Sequence, residues 1–163
     1  MSEQSSDRLR RAHQLFVEAY RLHMAGDLDA AIVRYRESIA NRPTAEAHTF
    51  LGWAFSFLDR LDEAIAECKK AIAVDPDFGN PYNDIGSYLM MKGQIDDAIP
   101  WLERALQAPR YESYCYPHMN LARAYEAKRD WLRAKEEYRK ALAENKEYTP
   151  AAQGLARIRG YLN

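Results

Sequence analysis

Four histidines, two cysteines and a few acid pairs are the residues of this chain that could do covalent or metal chemistry. His13, His23, His48 and His118 stand far apart in sequence. None shares the HExxH spacing that sets two imidazoles on one helix face around a metal. Cys68 and Cys115 form no CxxC pattern. Cys68 falls on an apolar helical stripe, where a thiol behaves as a small buried hydrophobe. His118 sits at a core-stripe position and reads as a packed side chain. There is no glycine-rich phosphate loop and no nucleophile elbow. Asp62-Glu63 and Glu136-Glu137 read as solvated helix faces. The expectation is a chain that is not an enzyme, with no catalytic residue, no metal and no cofactor.

Non-covalent chemistry is better represented. Phe16, Tyr20 and Met24 recur in steps of four, and Phe50, Trp53 and Phe57 in steps of three and four. Such spacing keeps each set on one face of a helix. Both stretches already carry another apolar stripe: Leu15, Ala19 and Leu22 in the first, and Leu51, Gly52, Phe55 and Leu58 in the second. A helix with one neighbour needs only one such stripe. The surplus implies either deeper packing or an exposed apolar patch, and a patch of several aromatics marks a binding surface. Tyr and Trp give much contact area at low entropic cost, and Met adapts to irregular partners.

The elements that carry these residues follow from the helical period. Ser5-Ser6-Asp7 offers capping oxygens, so a first helix is predicted from about Asp7 to Met24, after a polar tail over 1–6. Gly26-Asp27 makes a turn, and a partner helix follows over about 28–41. Leu61, Ala64, Ile65, Cys68, Ala71 and Ile72 mark another helix, ended by Pro76. Pro100 falls within a later helix, where a small kink is expected instead of a break. Thr149-Pro150 opens a last helix, with Leu155, Ala156 and Ile158 facing back onto the array.

The pattern repeats. Thirty-four residues separate Gly52 from Gly86, Ala64 from Ala98 and Ala71 from Ala105. Ala31 precedes Ala64 by 33, and Ala134 follows Ala98 by 36. A period near 34 with small residues at these places resembles the tetratricopeptide repeat, a helix-turn-helix unit. The resemblance implies an all-α solenoid of antiparallel helix pairs, a superhelix of about nine helices. It divides a single domain over 7–163 into repeats at about 12–44, 45–78, 79–114 and 115–148, with a capping helix over 149–162. The period slips after Pro109, where Tyr111, Tyr114 and Tyr116 crowd one connection. They either cover a loosened joint or rim a binding surface.

In this family the first helix of each pair lines an inner, concave wall. The resemblance therefore implies a peptide groove built from Phe16, Tyr20, Met24, Phe50, Trp53 and Phe57, continued by Asn83, Asp84, Ser87, Met90, Met119, Asn120 and Arg123. Asn120 could bond both the N–H and the C=O of an extended peptide, and Arg123 could pair with a carboxylate. Repeat proteins that clamp the acidic tails of heat-shock chaperones use Lys, Asn and Arg at positions that here hold Phe16, Tyr20, Phe50, Asn80 and Asp84. No such tail is expected as partner.

The expected function is a protein-interaction adaptor holding a peptide or helical segment of a partner. The alternative is a self-assembly module that forms homo-oligomers through the groove or the solenoid ends. A formal charge of −1 and a pI near 6.4 argue against a nucleic-acid partner. Met1 to Arg10 lacks a signal-peptide core, and no run reaches the roughly 18 apolar residues that span a bilayer. A cytoplasmic chain with reduced thiols and no membrane partner is expected.

Overall fold

Small residues at helical spacing, each opposite a larger neighbour, decide where the helices of this chain meet. The computed structural model describes residues 3–111 and 113–161. Of the predicted segments, Met1 and Ser2 of the tail, Glu112 of the tyrosine-rich connection and Leu162 of the last helix lie outside the described residues. Nine α-helices follow one another among the described residues. They are α1 (Glu3–Met24), α2 (Leu28–Asn41), α3 (Ala45–Phe57), α4 (Leu61–Val74), α5 (Asn80–Met91), α6 (Ile95–Gln107), α7 (Cys115–Ala127), α8 (Trp131–Glu144) and α9 (Thr149–Ile158). A single 3₁₀ turn, Arg159–Tyr161, follows. Helices pair in sequence order, α1 with α2 through α7 with α8, and α9 packs on α8. This is the all-α solenoid of antiparallel helix pairs that the repeat implies.

The helices gather into two compact units, Met1–Pro76 and Asp77–Asn163. In the first, Leu15, Ala19, Ala31, Ile32, Tyr35, Leu51, Phe55, Ala64, Cys68 and Ala71 form the core. In the second, Leu102, Leu121, Ala122, Tyr125, Ala134, Tyr138, Ala141, Ala151 and Ile158 do so. Gly52 is glycine because its helix touches α4: a Cβ there would lie 2.9 Å from the Ala64 carbonyl oxygen. At Gly86 a Cβ would lie 2.5 Å from Leu102 Cδ2.

Each pair turns through the same motif. The N–H of Asp27, Arg60, Gln94 and Asp130 donates to the carbonyl five residues back, and the residue before each donates three back. This double bond satisfies the last carbonyls of the first helix and needs a left-handed residue just after it. Gly26 and Gly93 supply it with φ of 84° and 76°, while Asp59 and Arg129 adopt 58° and 59° without being glycine.

Several expectations are corrected. The first helix begins at Glu3, so Ser5, Ser6 and Asp7 lie inside it and do not cap it. Leu58 is the exposed C-cap residue of α3 and no part of the core. In α9 the inward residues are Ala151, Gly154 and Ile158, and Ala156 faces water. The reason is steric, since only glycine at 154 lets the helix approach the ring of Tyr138, 2.4 Å from a would-be Cβ. Helix α6 runs through Pro100 without ending. Tyr111 and Tyr114 cover the joint: Tyr111 packs on Gly79, and the Tyr114 hydroxyl donates to the Ala108 carbonyl at 2.9 Å. Tyr116 stays exposed.

Candidate partner-binding faces

In the first unit α1 and α3 bring the predicted aromatic residues into one run. Phe16 meets Phe50 edge to face at 5.3 Å, and Tyr20 meets Phe50 at 5.7 Å. Phe50 continues to Trp53 at 5.7 Å, and Trp53 to Phe57 at 5.5 Å. Tilted and edge-on ring pairs are the favoured geometries. Phe16, Phe50 and Trp53 are half-buried. Tyr20, Met24 and Phe57 are 41%, 50% and 61% exposed, so the run is an open face and not a sealed core.

Sequence reasoning missed the residue at its centre. His23 is buried, with its ring 4.4 Å from Trp53 and 5.5 Å from Phe57. Its Nδ1 lies 3.4 Å from the Tyr35 hydroxyl, and its Nε2 has no hydrogen-bond partner among the described residues. Burial among rings lowers its pKa below the ordinary 6.5. The signal was present in the spacing, since Leu15, Ala19 and His23 follow at steps of four on the core side.

A second polar device was misread from sequence. Glu137 is buried and does not lie on a solvated face; its Oε2 sits 2.7 Å from His118 Nδ1, and Lys140 donates to its Oε1 at 2.8 Å. The first unit repeats this arrangement with His48, Glu67 and Lys70 at 2.7 and 2.6 Å. Burial pushes both carboxyls up, but the histidine and lysine hydrogen bonds prevail and hold them below the usual carboxylate range. The matching positions of the third pair hold a stack instead, with the Arg104 guanidinium 4.6 Å over Tyr82 and 4.8 Å over Trp101. These sets pin the second helix of a pair to the first.

In the second unit the expected groove residues are polar. Asn120 Nδ2 donates to Asn83 Oδ1 at 2.9 Å, which leaves one N–H and the Asn120 carbonyl oxygen for a partner. Asp84 lies next to them, half-buried. Desolvation pushes its carboxyl up to about 7, against a hydrogen bond from Asn83 that lowers it. Ser87, Met90 and Met119 are half-buried and Arg123 is exposed.

Comparison with known proteins bears on this geometry. A family model for the tetratricopeptide repeat matches residues 45–78, which is the α3–α4 pair and its flanks. The other pairs repeat that pair's turn and its small core residues. The α3–α4 pair is thus matched as a tetratricopeptide repeat, and the chain as a whole is similar to proteins of that repeat. The small glutamine-rich tetratricopeptide repeat-containing protein 2 of Mycosarcoma maydis is 30% identical over 104 residues, covering 63% of this chain and 30% of that protein. The chain thus spans about 30% of the length of that relative. A structure of Pseudomonas aeruginosa PilF is similar with a TM-score of 0.87 and 23% identity, over 93% of this chain and 69% of that one. The structure of PilW, a type IV pilus biogenesis factor, gives 0.81 and 17%, over 99% and 71%. At these identities the two structures speak for the fold alone. Tetratricopeptide repeat proteins are in general protein-interaction adaptors and non-enzymatic scaffolds. No helix among the described residues is long and apolar enough to cross a membrane.

Proposed function

We propose that this protein is a cytoplasmic adaptor whose α1–α3 face holds an apolar peptide or helical segment of a partner protein. The observation that supports it most is the continuous aromatic run with exposed ends at Tyr20 and Phe57, Met24 being exposed as well. Folding has left this surface uncovered, and water gains nothing from it. Phe50 and Trp53 form the floor, and the exposed side chains grip. In the second unit Asn83, Asn120 and Arg123 fix backbone or acidic groups, beside Asp84, Ser87, Met90 and Met119. Phe16, Tyr20, Phe50, Asn80 and Asp84 offer no cation to a chaperone's acidic tail, and a net charge of −1 gives no overall pull toward nucleic acid. A membrane is not the partner either.

The test is a pull-down from native lysate with wild type and Trp53→Ala side by side, after confirming that both are folded. Capture of one polypeptide by wild type and its loss in the variant is expected. Equal capture by both overturns the assignment. The competing reading, self-assembly through the same apolar face, is favoured only by that exposed face. A strict monomer by light scattering across a concentration series removes it.

A further inference from the structure

The second unit carries a pocket of about 410 Å³, open to solvent and lined by Arg123, Glu126, Ala127, Arg129, Trp131 and Arg157. Three guanidiniums face one carboxylate there. Glu126 is fully occupied: Arg157 Nε and Nη2 donate to its two oxygens at 2.9 and 2.8 Å, and the Tyr138 hydroxyl donates at 2.5 Å. The Arg157 pair holds that carboxyl below its ordinary range, so it is ionised at neutral pH. The next acid in the chain, Asp130, caps α8 by accepting from the Arg133 N–H and pairs with the Arg133 side chain at 2.6 Å. Lys128 is paired with Asp96. The guanidiniums of Arg123 and Arg129 make no hydrogen bond and no ion pair among the described residues. Among the described residues the pocket therefore presents two guanidiniums without a hydrogen-bond partner beside an Arg–carboxylate pair already formed.

We propose that this pocket binds a side-chain carboxylate from an acidic segment of a partner polypeptide. Guanidinium takes carboxylate by two parallel N–H···O bonds, and the Arg157–Glu126 pair already shows that geometry on the same wall. Glu126 is already held by Arg157, so Arg123 and Arg129 remain to meet the two oxygens of one carboxylate. The pocket lies on α7, α8 and α9 and is separate from the positions that exclude a chaperone tail clamp. It rests on the adaptor reading only for the partner being a polypeptide.

The experiment is an NMR titration of the full chain at low salt with an acetylated, amidated tri-glutamate peptide, following the Trp131 indole N–H and the Arg157 Nε–H. Arg129→Gly is the chosen variant, because glycine suits the left-handed turn at that position (φ 59°) and the fold is kept. Saturable shifts at both reporters are expected, with affinity about tenfold weaker in Arg129→Gly and in Arg123→Gln. Phe57→Ala should bind the probe as wild type does. The proposal is overturned by absent shifts, by equal affinity in Arg129→Gly, or by loss of binding in Phe57→Ala. Tighter binding of inorganic phosphate at matched ionic strength overturns it too, in favour of a phosphate site. A failed partner capture by the aromatic face leaves this titration unchanged, so the two readings fail separately.

Discussion

Equivalent positions in the two units do opposite things. Phe50, Trp53 and Phe57 on α3 correspond, 34 residues on, to Asp84, Ser87 and Met91 on α5. The α3 set is a linked run of rings with an exposed end. The α5 set includes the Asp84 carboxyl, which desolvation pushes up to about 7. Yet both helices turn through the same two hydrogen bonds and seat the same glycine against the next helix. The repeat fixes the packing side of each first helix and leaves the other side free to vary. Function in such a chain lies in what the repeat does not constrain.

The sharpest way to break the contrast is paired truncation. Trp53→Ala should weaken partner binding by about 2 kcal/mol or more, while Ser87→Ala at the matching place should change it by no more than about 0.5 kcal/mol. Calorimetry with the captured partner measures both, and equal losses would mean that the units share the task.

Asp84→Asn tests the polar side. Folding raises this carboxyl's pKa, so between about 4 and 7 the folded chain holds a proton that the unfolded chain has released. Stability therefore falls as pH rises through that window. The asparagine variant should be more stable than wild type by roughly 1–2 kcal/mol at pH 8, discounted for partial exposure, and equal to it near pH 4. Denaturant titration at the two pH values decides this.

His23 gives the reverse sign in the first unit. Its pKa is lowered on folding, so the unfolded state binds the proton first and stability is lost as pH falls below about 6.5. His23→Phe should reduce that acid sensitivity, read from melting curves at pH 5 and pH 7.5. An unchanged acid limb would mean that His23 does not carry the sensitivity.

The smallest effect concerns the turns. Asp59→Gly and Arg129→Gly, one in each unit, should each stabilise by about 0.5–1 kcal/mol by relieving a left-handed residue. Ala in place of Gly26 or Gly93 should cost a similar amount, although both glycines have open space around them.

Most of the architecture was legible in the sequence, because small residues at a 34-residue period leave few other ways to pack. Gly52, Ala64 and Gly86 announced their contacts through size alone. The aromatic run was legible for the same reason, as a second stripe beside the first. What stayed hidden depends on pairs that no single-helix pattern shows. Glu137 read as a surface acid until its histidine partner, 19 residues earlier, is seen to face it, and Glu67 went unnoticed for the same reason. His23 looked isolated because its neighbours Trp53 and Phe57 come from α3. The arginine pocket gathers residues from 123 to 157, and only the placement of α9 brings Arg157 to Glu126.

The central claim is that the uncovered aromatic face of the first unit is where another polypeptide sits. A photo-crosslinking amino acid placed at Phe57 in living cells tests it most directly, with Leu132, exposed in the second unit, as the control position. The account predicts adducts to one heterologous polypeptide from position 57, absent from position 132 and lost when Trp53→Ala is combined with the probe. Equal labelling from both positions, or adducts only to further copies of this chain, would contradict it.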